Sequence, residues 1–276
     1  MAAWAWRWRS SAELGGRALA PGRFADKAAQ RAAFFMRTMQ DYFSLQLAVA
    51  ARYAGLAGVP LDVAVARCTN LRRRFNLAAP DGEPRWAAFL ADIRAARGSD
   101  QDLLLLCMQR FEAGGAPPRS TPFGPFSFDP PGPDGAVRLH FMPSEQPAVS
   151  PLARAAIDDR LGELRALVDA VRRKHGGAVS VRGHSWLYHR PAYLRLFPPA
   201  YRRSVRSPAV APHLAGSSVW GQVLDWRQQV KPAMRDALIS RLPEMDAGAP
   251  WRIFPLQPLT AECSIGEFDA WLPRSQ

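Results

Sequence analysis

The chain has 276 residues, 48% of them hydrophobic and 22% charged, and a formal net charge of +12. That much apolar surface offsets chain entropy, so disorder throughout is excluded and one large or two small domains are expected. The longest run of large apolar residues, Leu103–Met108, is far shorter than the ~20 needed to cross a bilayer, so no transmembrane segment is expected.

Nearly all the positive charge is arginine, since lysine occurs only at positions 27, 174 and 231. With abundant Ala, Gly and Pro, this has the residue bias of a GC-rich genome. The longest basic clusters, Arg72–Arg74 and Arg172–Lys174, fall near predicted helix ends, where cations complement the macrodipole. Cys68, Cys107 and Cys263 are odd in number and widely spaced, which argues against a disulfide framework and for a reducing, cytoplasmic compartment.

Residues 1–25 read as a flexible leader whose Trp and Arg residues also suit an interfacial anchor; no apolar core of a secretory signal is present. A helical unit is expected over 26–113. Asp26 caps a long helix to about Ala57, with Phe35, Met39, Tyr42, Gln46, Val49 and Tyr53 on one face, widened by Phe43, Leu47, Ala50 and Ala54. A second helix follows over Leu61–Phe75 and a third from Pro84. Ser99 with Asp102 resembles a capping box for a fourth, running through Phe111.

Gly114-Gly115-Ala116-Pro117-Pro118 breaks the pattern, and a mixed α/β domain is expected over 119–276. Phe126 and Phe128 alternate before a turn ending Asp134-Gly135, and Val137, Leu139 and Phe141 alternate after it, which predicts a hairpin. Ser150-Pro151 reads as a helix start, Ile157–Val171 as its apolar face and Ala178–Val181 as a strand leading into a loop. A short helix over Ala192–Phe197 follows, then an irregular stretch over 200–217. Val219–Trp226 reads equally as strand or helix. Lys231-Pro232 opens another helix, Trp251–Glu262 is strand-like, and Ser264 with Glu267 caps the last helix. The class is therefore α+β: a helical N-terminal bundle, then a small mixed sheet flanked by helices.

Reactive side chains concentrate in Arg182-Gly183-His184-Ser185-Trp186-Leu187-Tyr188-His189, just after a predicted strand. His184 suits general acid–base work near neutral pH, and Ser185 suits nucleophilic attack if a base reaches it. Arg182, Trp186, Tyr188 and His189 are candidate substrate contacts, joined by His140 on the hairpin, Trp220 and Asp225. Tightly packed core aromatics and structural histidines are the competing reading of the same segment. Histidine spacing gives no metal motif, and Cys263 beside Glu262 reads as a small buried hydrophobe rather than a thiolate. No Walker-type loop, Gly-x-Gly-x-x-Gly or Gly-x-Ser-x-Gly occurs.

The order hairpin, Ser150-Pro151 helix, strand and His184-Ser185-Trp186-Leu187, over about residues 137–225, resembles the C-terminal acyltransferase-like (GNAT-like) part of certain bacterial proteins. Those proteins also have a helical N-terminal region and a Cys-His-Ser-Trp-Leu stretch after a strand; here Gly183 replaces the cysteine. The resemblance implies a GNAT-like fold and acyl transfer to a small molecule. It leaves acyl-CoA use open, because the Gln/Arg-x-x-Gly-x-Gly/Ala loop that grips the coenzyme A pyrophosphate is absent and no other cofactor is indicated. Two alternatives stand beside it: a nucleic-acid-binding module using leader arginines, Arg72–Arg74 and Arg202–Arg206, and a non-enzymatic interaction module docking through its helical half. Oligomeric state is not encoded in these patterns.

Overall fold

The structure, a computed structural model, describes residues 22–96, 99–114, 121–142 and 149–272, with side chains from Met36 onward. The leader up to residue 21, the Phe35 side chain and the Gly115–Pro118 break lie outside the described residues. No helix among those described is long and apolar enough to cross a membrane.

Helix α1 (Gly22–Ala57) begins ahead of Asp26 and carries the expected two-sided apolar surface. Met39, Tyr42, Gln46 and Val49 are buried at helical spacing, as are Phe43, Leu47 and Ala50 on the widened face. The second predicted helix is in fact two, α2 (Leu61–Cys68) and α3 (Leu71–Arg74). Thr69 is extended (φ −121°, ψ 156°), with its hydroxyl donating to the Val65 carbonyl at 2.7 Å. The Asn70 N–H donates to the buried Gln46 Oε1 at 2.7 Å. Periodicity passes over this break because Cys68, Leu71 and Phe75 still face the core on both sides of it. Helices α4 (Glu83–Ala95) and α5 (Asp100–Gly114) complete the unit, and Asp102 accepts from the Ser99 N–H at 2.8 Å at the start of α5. Phe43 meets Phe75 and Phe111 edge-on at 5.8 and 5.4 Å.

Strands β1 (Phe126–Asp129) and β2 (Ala136–Phe141) form the expected antiparallel hairpin, from Phe126 opposite Phe141 to Asp129 opposite Arg138. Helix α6 (Ile157–Lys174) then crosses to β3 (Ser180–Ser185), which lies parallel to β2. Ser150-Pro151 does not start this helix: the Ser150 hydroxyl accepts from Leu152 N–H in a separate turn, and Ala153 is extended. Beyond β3 come α7 (Pro191–Leu194), α8 (Pro199–Arg203), α9 (Ser217–Trp220) and α10 (Pro232–Arg241). Strand β4 (Leu259–Ser264) pairs antiparallel with β3, and α11 (Ile265–Trp271) follows, its first turn capped by Ser264 Oγ accepting from Glu267 N–H. The sheet order is β1-β2-β3-β4. The strand-like stretch from Trp251 shrinks to β4 because Pro255 and Pro258 cannot donate to a ladder.

Side-chain alternation gives this sheet two unlike faces. Val137, Leu139, Val181 and Ala261 pack with Leu164, Leu167, Val168 and Val171 of α6. Arg138, His140, Arg182, His184 and Glu262 occupy the alternate positions, making the other face polar.

The helical core does not end at the predicted boundary. Leu214, Val219, Trp220, Val223, Leu224, Leu238 and Phe254 belong to it, so the 119–276 segment supplies both cores. The ambiguous Val219–Trp226 segment is the end of α9 followed by a turn, closed by a bridge between Leu224 and Val230. Trp220, expected to shape a pocket, is fully buried; its indole N–H donates to the Cys68 carbonyl at 2.9 Å. Its ring sits edge-on to Tyr42 at 6.0 Å and to Phe254 at 4.9 Å. Trp220→Ala should cost about 3–5 kcal/mol in chemical denaturation, from lost burial plus the cavity left behind. A loss under ~1 kcal/mol would mean that residues 214–254 do not anchor this core.

Candidate functional site

Parallel strands β2 and β3 pair from Ala136–Ser180 to Leu139–Gly183 and then part. Beyond that point His140 and Phe141 stay with β1, while His184 and Ser185 stay with β4. The result is a wedge at the carboxyl ends of two parallel strands, where open sheets bind ligands. A cavity of about 510 Å³ opens there, between the sheet and the helical core. A shallower hollow of about 740 Å³ beside α4 and α5 has its Asp92 and Arg110 already paired across it, at 2.6 Å.

Of the residues singled out by sequence, His140, His184, Ser185, Trp186, Tyr188 and Asp225 line the cavity together. The predicted loop after Val181 is strand as far as Ser185, and that extension carries the histidine into the wedge. Arg182 sits below the parting and is held by Glu262 at 2.8 Å and Asp134 at 2.9 Å. His189 is exposed and bonds the Gln257 carbonyl through Nε2 at 2.8 Å. With Trp220, both stand outside the cavity lining. Arg138, Arg190, Trp226 and Lys231 also line it and were not among the sequence candidates, and Arg73 and Arg74, read from sequence only as possible nucleic-acid contacts, line it too. Arg138 was legible as a neighbour of His140 by alternation; the others converge only through tertiary packing.

His184 is half-buried, and no group among the described residues hydrogen-bonds its ring. Burial, and then Arg138 and His213, lower its pKa from the ordinary 6.5, so the imidazole is neutral at neutral pH. His140 Nε2 lies 2.9 Å from Asp129 Oδ2 across the hairpin. Ser185 Oγ accepts from Leu187 N–H at 3.1 Å, capping the turn that follows. As the next residue along β3 it points to the opposite face from His184, so the two do not form a nucleophile–base pair. Burial, and then Glu267 and Glu262, push the Cys263 thiol up to about 12, which keeps it protonated.

The Tyr188 and Tyr201 hydroxyls share a buried 2.6 Å hydrogen bond, and burial drives both phenols well above their ordinary range. Gly183 packs directly under this pair, where a Cβ would overlap both oxygens. Phe141 meets Tyr193 edge-on at 5.2 Å, giving the wedge an aromatic side.

The opposite wall is strongly basic. Lys231 Nζ sits 4.8 Å from the centre of the Trp186 ring. Burial, and then Arg190, lower its pKa to about 8, against an opposing pull from Asp225. Arg74 donates to Gln228 Oε1 at 2.8 Å and stacks over Tyr42 at 5.0 Å. Gln228 holds a left-handed φ of +64°, and Asp225 fixes its turn by accepting from Arg227 and Gln229 N–H at 2.8 and 2.9 Å.

The fold and the cavity define an α+β protein with a cleft, lined by His140 and His184, at a parallel strand junction. No protein-family model matches the chain, and neither the curated proteins nor the solved structures contain a match to it.

Proposed function

We propose that this chain is a small-molecule acyltransferase-like enzyme, with the cleft at His184 as its reaction chamber. The observation that carries the reading is a neutral, unpartnered imidazole facing a cavity at the parting of β2 and β3. The strand topology is compatible with the GNAT-like resemblance of residues 137–225. Parted strands offer main-chain groups to an extended, amide-bearing ligand arm by strand addition, and the acyl-bearing arm of an acyl-CoA has that chemistry. The acceptor's amine or hydroxyl attacks the thioester carbonyl, His184 takes its proton, and the thiolate leaves and is protonated. Trp186, Tyr188, Phe141 and Tyr193 supply the apolar walls that exclude water.

Two of the arginines that the nucleic-acid reading would use are already engaged: Arg72 is paired with Glu83, and Arg202 rests over the Trp271 ring at 5.8 Å. The assay is release of free thiol from acetyl-CoA in the presence of a panel of amines, amino acids and sugar alcohols. Acceptor-dependent release supports the reading; its absence across short and long acyl-CoA donors overturns it. Ser185→Ala should keep the rate within about threefold and cost about 1 kcal/mol of stability, as loss of a cap does. Abolished turnover with an accumulating acyl-enzyme in the wild type would instead make Ser185 a nucleophile.

A further inference from the structure

The cavity carries far more positive charge than its histidines account for. Arg73, Arg74, Arg138, Arg190 and Lys231 all line it, and Asp225 is the one carboxylate among the described lining residues. None of the five cations forms a salt bridge to a described carboxylate. Asp225 offsets them only in part: it pulls against the lowering of the Lys231 pKa, which still falls to about 8, and it is one carboxylate among five cations. Arg74 and Lys231 are half-buried while Arg73, Arg138 and Arg190 are exposed; like charges gathered around one cavity repel one another, and an anion between them relieves that repulsion.

The cations also have a definite place. Arg73 and Arg74 come from α3 at the break after Thr69, and Lys231 precedes α10; both elements belong to the helical side of the cavity. Arg190 follows the turn over Trp186–His189 and faces Lys231 closely enough to lower its pKa. Arg74 is held by Gln228 in its left-handed turn and by the Tyr42 ring, so it is preorganised before any ligand binds. The wedge between β2 and β3, which holds His184, lies on the sheet side of the same cavity.

We propose that the wall formed by Lys231, Arg190, Arg73 and Arg74 is the seat for an oxyanion, a carboxylate or a phosphate, on the acceptor that receives the acyl group. The word acceptor rests on the acyl-transfer reading above; the anion seat itself does not. The seat orients the acceptor by its anionic end with the nucleophilic end toward His184, and it selects against polyamines, which the same field repels.

The test is calorimetric titration of the full chain, at fixed ionic strength, with inorganic phosphate and separately with succinate. Saturable binding of either supports the seat, and the tighter of the two identifies phosphate or carboxylate as the group recognised. Lys231→Met and Arg190→Gln should each weaken binding by about tenfold, the scale of one charge-assisted hydrogen bond. Arg73→Gln, on an exposed side chain, is the companion variant should either of these fail to fold. His184→Gln should bind the anion as the wild type does. The seat is overturned by no saturable binding of either anion up to about 10 mM, by unchanged affinity in the charge variants, or by tighter binding of spermidine. Competition between coenzyme A and the anion would overturn its assignment to the acceptor. Anion binding without any thioester turnover would sink the acyl-transfer reading and leave the seat standing.

Discussion

His184→Gln should lower the rate of acyl transfer by at least about a hundredfold, the scale of general-base catalysis, while moving the melting temperature by no more than about 2 °C. The two outcomes separate because the ring is half-buried and makes no hydrogen bond to a described group, so its removal breaks little. The pH dependence supplies a second readout. Burial depresses the folded-state pKa below 6.5, so the base form persists into mildly acidic solution and the rate falls only below that value. The stability sign follows from the same shift. As pH drops through 6.5 the unfolded chain takes up the proton first, so the native state loses stability between 6.5 and its lower folded value. The glutamine variant should lack that component. Retained turnover, or a variant that fails to fold, would assign His184 to structure and end the general-base reading.

Gly183→Ala should destabilise the fold by roughly 3 kcal/mol or more in urea denaturation, the upper range for overpacking a core. The residue sits in β3 directly against the Tyr188–Tyr201 hydroxyl pair, and a Cβ would occupy the space of both oxygens. Backbone strain is not involved; the requirement is close approach alone. Tyr188 also packs against Tyr193, which abuts Phe141, so an outward shift of Tyr188 would reach the wedge itself. Adding Tyr188→Phe removes one of the two obstructing oxygens, and the pair of changes should cost clearly less than their sum. Additive losses, or an alanine variant as stable as the wild type, would refute the close-packing account.

How much was legible beforehand differs from residue to residue. Met39, Tyr42, Gln46 and Val49 announce their helix face by spacing, and Phe126 to Phe141 announce the hairpin by alternation, because both signals are local periods. His184 was identified by its chemistry and its place after a strand, and it does face the cavity. The extent of β3 was missed because Gly183, His184 and Ser185 have little strand propensity; pairing with Ala261, Thr260 and Leu259 imposes the extension. Trp220 was misplaced because an aromatic with one polar atom suits a pocket rim and a core equally, until the Cys68 carbonyl takes its N–H.

What the sequence determined unaided was the class of fold, most of the order of its elements and one segment dense in polar and aromatic side chains that reaches the cavity, since these depend on side chains within a turn or a strand of each other. The tertiary structure alone decided that residues 214–254 return to the helical core and that Arg73, Arg190 and Lys231 meet around one hollow. Such meetings are set by which apolar faces bury against each other across long stretches of chain, and no local period carries that choice.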